Sequence, residues 1–333
     1  MTTRTKIIFF FIMSLAVALV AGLLILENVG AVSVPTRGTV PVTIRVAVAP
    51  SLGPWVRAAA QEFENQNPRL TVQIAVLEGL DADRSLGPSQ PNLPDAWIAE
   101  AGFVREMAER IPYDADGESV AQTRLVWLAV NTRDGLNGNL DWDTVHEAAV
   151  DPDLWRESTG DNQFDLALPS PSNSVEGVAA FLSASADYHE QADLSSINVT
   201  DQGFIGWMEE ILETVPQRGR SPLTQLTSRP VAVDVGMLVE SDLDEIDLNR
   251  FIQQTPAYNV IFDYPFLIRR GSPLDDAAER EQTAEQFRDY LLSQTQQQKL
   301  ANYGFAQADD TTLGTGIQVD GNTAQRIQSR FGQ

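Results

Sequence analysis

The sequence predicts an α/β protein in which mostly parallel sheets are flanked by helices. Three observations carry that expectation. Apolar residues alternate at period two and then recur at helical spacing, in turn, along most of the chain. Clusters of Gly, Pro, Ser and Asp separate the two kinds of segment. A length of 333 residues at 43% hydrophobic content is enough to bury more than one core.

Thr43–Val48 reads as a short apolar strand that stops at the turn Ala49–Gly53, with Pro54 placed as a first helical residue. Val56, Ala59, Ala60 and Phe63 share one face of a helix that ends before Asn67-Pro68. Leu70, Val72, Ile74 and Val76 alternate as a second strand. Pro94–Ala99 is a third, short strand, followed by a helix with Phe103 and Met107 one turn apart. This βαβ rhythm is what calls for a parallel sheet. Arg124–Val130 and Phe164–Leu168 read as further strands, with a partly helical stretch around Trp142, Val145 and Trp155 between them. A helix carrying Val178, Phe181, Leu182 and Ser185 comes next, and Asn173 with Glu176 has the spacing of a capping box at its start. Phe204, Trp207, Met208, Ile211 and Leu212 mark another helix. Strands are expected at Val231–Val239, Val260–Phe262 and Phe266–Ile268, and a long helix from Asp275 to about Gln298.

The N-terminus has a different character. After Arg4 and Lys6, residues 7–26 form an uncharged apolar run closed by Glu27. Twenty residues at the helical rise span about 30 Å, the thickness of a bilayer core. The two basic residues in front of the run place the chain beyond Glu27 outside the cytoplasm. Residues 1–30 therefore read as a membrane anchor or, with the small residues Val29-Gly30-Ala31, as a cleaved signal peptide. Residues 31–41 are a linker with two prolines and no helical period.

Charge and composition exclude several functions. Forty-six acidic residues against 23 Lys and Arg give a net charge of −23. Without Arg4, Lys6 and Glu27, residues 31–333 carry −24. Such a surface repels nucleic acid and anionic lipid. There is no cysteine, so thiol catalysis, disulfides and cysteine zinc sites are out. The two histidines, His146 and His189, lie in His146-Glu-Ala-Ala-Val150 and His189-Glu-Gln-Ala-Asp193. Each lacks the second histidine of HExxH, and both read as exposed helix positions. The pairs Asp141/Asp143, Asp151/Asp153 and Asp242/Asp244 lack the glycine of a calcium loop and read as N-caps and charged surface. No GxSxG elbow is present, and no carboxylate pair stands out for glycoside hydrolysis. Asn198-Val199-Thr200 is a glycosylation sequon. The expectation is a protein that is not an enzyme and needs no cofactor.

Several stretches together resemble bacterial extracellular solute-binding proteins of the periplasmic type II fold. Ile44–Pro68 is similar to that family's first strand, ligand loop and helix, and Pro94–Ala99 to its third strand. Leu166–Gly177 resembles the ligand-facing strand-to-helix turn of the second lobe, and Val233–Leu243 a later strand and turn. Phe287–Ser293, running on to Lys299–Phe305, resembles a C-terminal helix that ends in a glycine-aromatic pair. The resemblance covers residues 42–308 as a patchwork, and is nearest to the solute-binding domain found beside von Willebrand A domains. The 333 residues leave no length for such a second domain. It implies two α/β lobes joined by two crossover strands, near Trp127–Asn131 and Tyr258–Pro265. Lobe 1 would take residues 42–127 and 262–333, and lobe 2 residues 130–257. It also implies capture of a small polar solute in the cleft, with an ABC permease as partner. The alternative is an envelope sensing or interaction module with the same fold and no transported ligand.

In open α/β sheets ligands bind beyond the carboxyl ends of strands, where helix N-termini present free amides. Two turns qualify. In the first, Ser51 and Gly53 offer a hydroxyl and bare amides; in the second, Ser170, Ser172, Asn173 and Ser174 offer small donors. The competing reading is ordinary turn and capping chemistry, above all for Asn173 as a cap. Glu100 and Asp234 either line the same cleft, where they suit a cation or a hydroxyl-rich ligand, or are solvated strand ends. Tyr264 supplies a hydroxyl or a stacking face, or packs at a hinge. Trp97 and Trp127 belong to the core. The serine-rich turns suit an oxyanion, which the net charge opposes at long range.

Overall fold

Seven residues of the first strand, β1 (Val42–Val48), pair in parallel with β2 (Leu70–Val76), and its last three pair with β3 (Ala96–Ile98). A computed structural model of the chain describes residues 41–333 apart from 109, 132–139, 152, 154–162, 217–218, 229–232 and 333. Val42–Gln333 forms one compact unit. Among the described residues no helix is long and apolar enough to cross a membrane. The expected anchor and signal at residues 1–30, the linker to residue 40 and Trp155 lie outside the described residues.

The first sheet runs β2-β1-β3-β10-β4, where β4 is Glu118–Ser119 and β10 is Pro265–Ile268. β10 returns antiparallel to both its neighbours. Ile44, Val46 and Val48 are fully buried. Helix α1 (Gly53–Gln66) starts with proline in its first turn and buries Trp55, Val56, Ala59, Ala60 and Phe63. Phe63 meets Phe287 and Tyr290 of helix α8 (Ala277–Leu291), each at a 5.4 Å ring separation. The long C-terminal helix expected to Gln298 instead breaks at Leu292–Ser293 and restarts as a single turn, Gln294–Gln297. Ser293 turns its hydroxyl back to the Tyr290 carbonyl at 2.6 Å, and its backbone is extended.

The second sheet runs β6-β7-β5-β8: Leu166–Ala167, Val235–Val239, Thr123–Val130 and Phe251–Gln254. Only β6 and β7 are parallel; β5 is antiparallel to both its neighbours. The unbroken apolar run of β5 reflects burial on both faces. Leu125, Trp127 and Ala129 join the main core, while Val126 and Leu128 join a second cluster with Leu226, Val233 and Leu238. Trp127 packs edge-on against Trp142 of helix α4 (Trp142–Val150) at 4.8 Å. The Trp142 indole donates to Ser183 Oγ at 3.1 Å, in helix α5 (Val175–Tyr188).

Trp127–Val130 of the stretch Trp127–Asn131, expected at a crossover, belongs to β5 of this sheet, and Asn131 follows the strand. The passage between the sheets comes earlier, where the start of β5 pairs with β9 (Ile261–Phe262) through Thr123–Phe262 and Arg124–Ile261. The Asn259 amide ties the two segments, accepting from the Leu125 N–H at 3.1 Å and donating to the Leu125 carbonyl at 2.9 Å.

The C-terminal segment, expected wholly within lobe 1, touches elements around both sheets. Helix α10 (Gly321–Phe331), capped by Asp320, brings Gly321 against the backbone of Glu106–Met107, at helix α3 (Gly102–Met107). Its far end puts Phe331 on Phe181 of α5 and on Phe204 of helix α6 (Gln202–Glu213). Backbone bonds between Gln318 and the Ala192–Leu194 stretch fasten the segment.

Candidate functional site

The candidate residues follow the carboxyl ends of five strands. Beyond β1 comes the turn Ala49–Leu52, beyond β2 come Glu78 and Gly79, and beyond β3 comes Glu100. Beyond β6 comes the serine-rich turn leading into α5, and beyond β7 a 3-10 turn, Glu240–Glu245. The cavity between the last two has a volume of about 320 Å³, with Ser170, Asn173, Ser174, Glu176, Arg220 and Asp242 on its wall.

The first turn places Ser51 Oγ 2.9 Å from the Tyr264 hydroxyl, a hydrogen bond that either oxygen can donate. Tyr264 is fully buried, edge-on to Phe305, and holds φ at +38°, a backbone state a bulky side chain rarely adopts. Burial pushes its hydroxyl well above the usual range, opposed by the Ser51 bond and helped by the charges of Glu176, Glu100 and Asp242. Gly53 is buried at the start of α1, its N–H bonded to the Pro50 carbonyl at 3.2 Å and its Cα beside the Arg57 guanidinium. Its amide is thus spent on the turn.

The second turn corrects the capping assignment. The N-cap of α5 is Ser174, whose Oγ accepts from the Gly177 N–H at 3.0 Å. That releases Asn173 to the cavity wall. Gly177 is required here, because a Cβ would stand 2.1 Å from the Ser170 carbonyl carbon. The Ser170 and Ser172 hydroxyls bond each other at 2.8 Å, and Ser172 is exposed and not on the wall of that cavity.

Glu100 is not a solvated strand end: it is 3% exposed. Its Oε1 accepts from the Gly79 N–H at 3.0 Å, while Oε2 is buried with no hydrogen-bond partner among the described residues. Burial, then the charges of Glu176 and Glu78, push this carboxyl up to about 8. Asp242, half-buried, is pushed up to about 7 by burial and by Glu176 and Glu245. Glu78 is raised too, by burial, Glu176 and Asp81.

Asp234 stands elsewhere. It precedes β7, at the end of the strand opposite to the cavity-lining Met237–Val239, and its carboxylate accepts from the Asp165 N–H at 2.9 Å. It closes the sheet and does not face the cavity.

Glu78, Glu176 and Asp242 are not among the candidates named from the sequence, where Glu176 reads as a capping partner and Asp242 as surface. Their signal is position: each comes within a few residues of the carboxyl end of a strand or of the turn beyond it. His146, expected to be exposed, stacks on Trp207 at 5.2 Å with its Nε2 2.7 Å from Glu210. No group of three or more His, Asp and Glu is placed to hold a metal ion among the described residues.

A chain with two helix-flanked sheets and a cavity beyond the strand ends of the second has the architecture of a solute-binding protein. The profile of the bacterial extracellular solute-binding proteins matches residues 44–306, and the chain belongs to that family. The match does not extend to a von Willebrand A association. No curated protein is significantly similar in sequence. Among the solved structures that share the fold, three illustrate it. The periplasmic binding protein AfuA from Actinobacillus pleuropneumoniae, with fructose-6-phosphate bound, has a TM-score of 0.61 at 12% identity, covering 86% of this chain and 97% of that one. The ferric binding protein from Campylobacter jejuni reaches 0.59 at 12%, covering 86% and 96%. The sulfate-binding protein SubI from Mycobacterium tuberculosis reaches 0.55 at 17%, covering 84% and 92%.

Proposed function

We propose that this protein captures a small polar solute outside the cytoplasm, in a cleft between two lobes, and presents it to an ABC-type permease. The observation that supports the reading is the close approach of turns beyond the two sheets: a Cβ on Gly79 would lie 2.9 Å from a Val175 methyl, and the charge of Glu176 is felt at Glu100 and Tyr264. The lobes are drawn as residues 42–121 with 263–316, and residues 124–259. The C-terminal segment from residue 317 lies across both. Residues 7–26 serve as the export signal or as the anchor to the outer face of the membrane. Binding is the whole chemistry: contacts to both lobes populate the closed form, and no bond is made or broken.

The test is a thermal-shift screen of the full-length protein against oxyanions, sugars, amino acids and amines. A ligand at a hundred times its dissociation constant adds about 2.7 kcal/mol of stability. A solute that raises the melting temperature, and whose effect Asn173→Ala weakens, supports the reading. One observation favours a sensing or interaction module instead: the Ser51 hydroxyl is already engaged by the buried Tyr264. On that reading the protein melts cooperatively and answers to no solute.

A further inference from the structure

We propose that helix α10 is a latch: it is carried by the second lobe and holds the first lobe against it through its opening turn, where Gly321 meets Glu106. This rests on the two-lobe reading above and names the device that governs opening. Two separate sets of contacts carry it, one to each lobe. Toward the second lobe, the Gln318 N–H donates to the Ala192 carbonyl at 2.7 Å, and the Gln318 carbonyl accepts from Leu194 at 3.0 Å. Phe331 packs on Phe181 of α5 at 4.9 Å and on Phe204 of α6 at 5.8 Å. Arg330 pairs with Glu209 of α6 at 2.8 Å. A Cβ on Gly332 would lie 3.2 Å from Ser172 Cα, so the helix end also backs the turn that carries Ser170 and Asn173. The second lobe thus holds the segment at both its ends.

Toward the first lobe, α10 packs on α3. The Gly321 N–H donates to Glu106 Oε2 at 2.6 Å. A Cβ on Gly321 would stand 2.5 Å from the Glu106 carbonyl carbon and 2.6 Å from the Met107 nitrogen, so only glycine lets the helix start so close to α3. The first amides of a helix have no partner within it. Asp320 takes the Thr323 amide at 2.7 Å, and Glu106, from the other lobe, takes that of Gly321. A carboxylate at a helix N-terminus is also favoured by the helix dipole. Separating α10 from α3 therefore costs the helix a cap bond and a close-packed contact. The contact lies at the seam: α3 begins two residues after Glu100, and Val104 on α3 and Val175 on α5 would each come within 2.9 Å of a Cβ on Gly79. The two crossover strands alone leave the lobes free to hinge, and α10 adds a third tie that must let go of α3 before they part.

The chain has no cysteine, so Ser85→Cys in the first lobe and Ser196→Cys in the second, both exposed, each take one spin label. Pulsed electron spin resonance then reads the distance between lobes in the full-length protein without solute. The expected result is one narrow, short distance in the otherwise wild-type chain. Gly321→Ala should raise the weight of a second, longer distance at least about fivefold. Alanine is the better helix former, so a helix that did not bear on α3 would gain from the change. Glu106→Ala removes the accepting carboxylate from an exposed position without a clash, and should shift the distances the same way to a smaller extent. Gln325→Ala, exposed on the same helix, should leave them unchanged. Each protein is checked for cooperative melting. Folded Gly321→Ala and Glu106→Ala proteins with the wild-type distance overturn the latch. A wild type as broad as the variants, or an equal shift in Gln325→Ala, overturns it too. Each of these failures leaves the solute-binding reading standing, because that reading is decided by the solute screen and this measurement uses no solute.

Discussion

Ser51 and Tyr264 lie far apart in the chain, yet their hydroxyl oxygens stand 2.9 Å apart. The bond joins the turn after β1 to the strand that returns from the second sheet, and it accompanies a Tyr264 backbone at φ +38°. Ser51→Ala and Tyr264→Phe should each cost about 0.5–1.5 kcal/mol. Because both remove the same bond, the double variant should cost little more than either one. Urea unfolding of the four proteins measures this, and fully additive losses would show that the bond adds nothing.

Stability should fall as pH rises from about 6 to 9 in the absence of solute. Glu100 is pushed up to about 8 and Asp242 to about 7 in the folded state, from ordinary values near 4.5 and 3.8. Between the unfolded and folded values the native state binds more protons, so the slope of unfolding free energy with pH is negative. Glu100→Gln cannot ionise and should flatten the curve. A wild-type melting temperature that rises over this range would contradict the assignment.

Two glycine substitutions should act in opposite directions. Gly177→Ala drives a Cβ into the Ser170 carbonyl carbon at 2.1 Å, so the turn must shift, at a cost of about 1–3 kcal/mol and of solute affinity. Gly206→Ala, in the middle of α6 with no heavy atom within 4 Å, should gain about 0.5–1 kcal/mol. Denaturant midpoints separate the two, and equal effects would refute the close approach at Ser170.

Asn259→Leu should remove the clamp across the crossover. The amide serves both the N–H and the carbonyl of Leu125, and Asn259 is 6% exposed. Leaving both buried backbone groups without a partner should cost about 1–3 kcal/mol for each one stranded. Hydrogen exchange at the Leu125 amide should speed up in the variant; unchanged protection would show the clamp to be redundant.

The strand–helix order is legible in the sequence because each element carries its own period. Val46 and Val48 alternate, and Val56, Ala59, Ala60 and Phe63 keep helical spacing, whatever they pack against. The cap of α5 is misplaced by one residue in the sequence pattern because Asn173 and Ser174 have the same capping chemistry, and only the close approach of Gly177 to Ser170 selects between them. The acidic focus is hidden for a different reason. Among 46 acidic residues, Glu176 and Asp242 look like ordinary first-turn carboxylates until the second sheet folds against Glu78 and Glu100. Asp234 sits on a strand end as expected, but on the end facing away. Alternation gives a strand's faces and not its direction toward a site. Helix α10 is not among the elements expected from the sequence; its Ala324 and Ile327 are buried, and Phe331 at its far end packs on Phe181 and Phe204.

The most direct test of lobe closure on a solute is small-angle scattering of the full-length protein, with and without a solute identified by thermal shift. Closure predicts a smaller radius of gyration at saturation, and an Asp242→Asn protein that compacts only at higher solute concentration. A bound solute that leaves the radius unchanged in both proteins would contradict it.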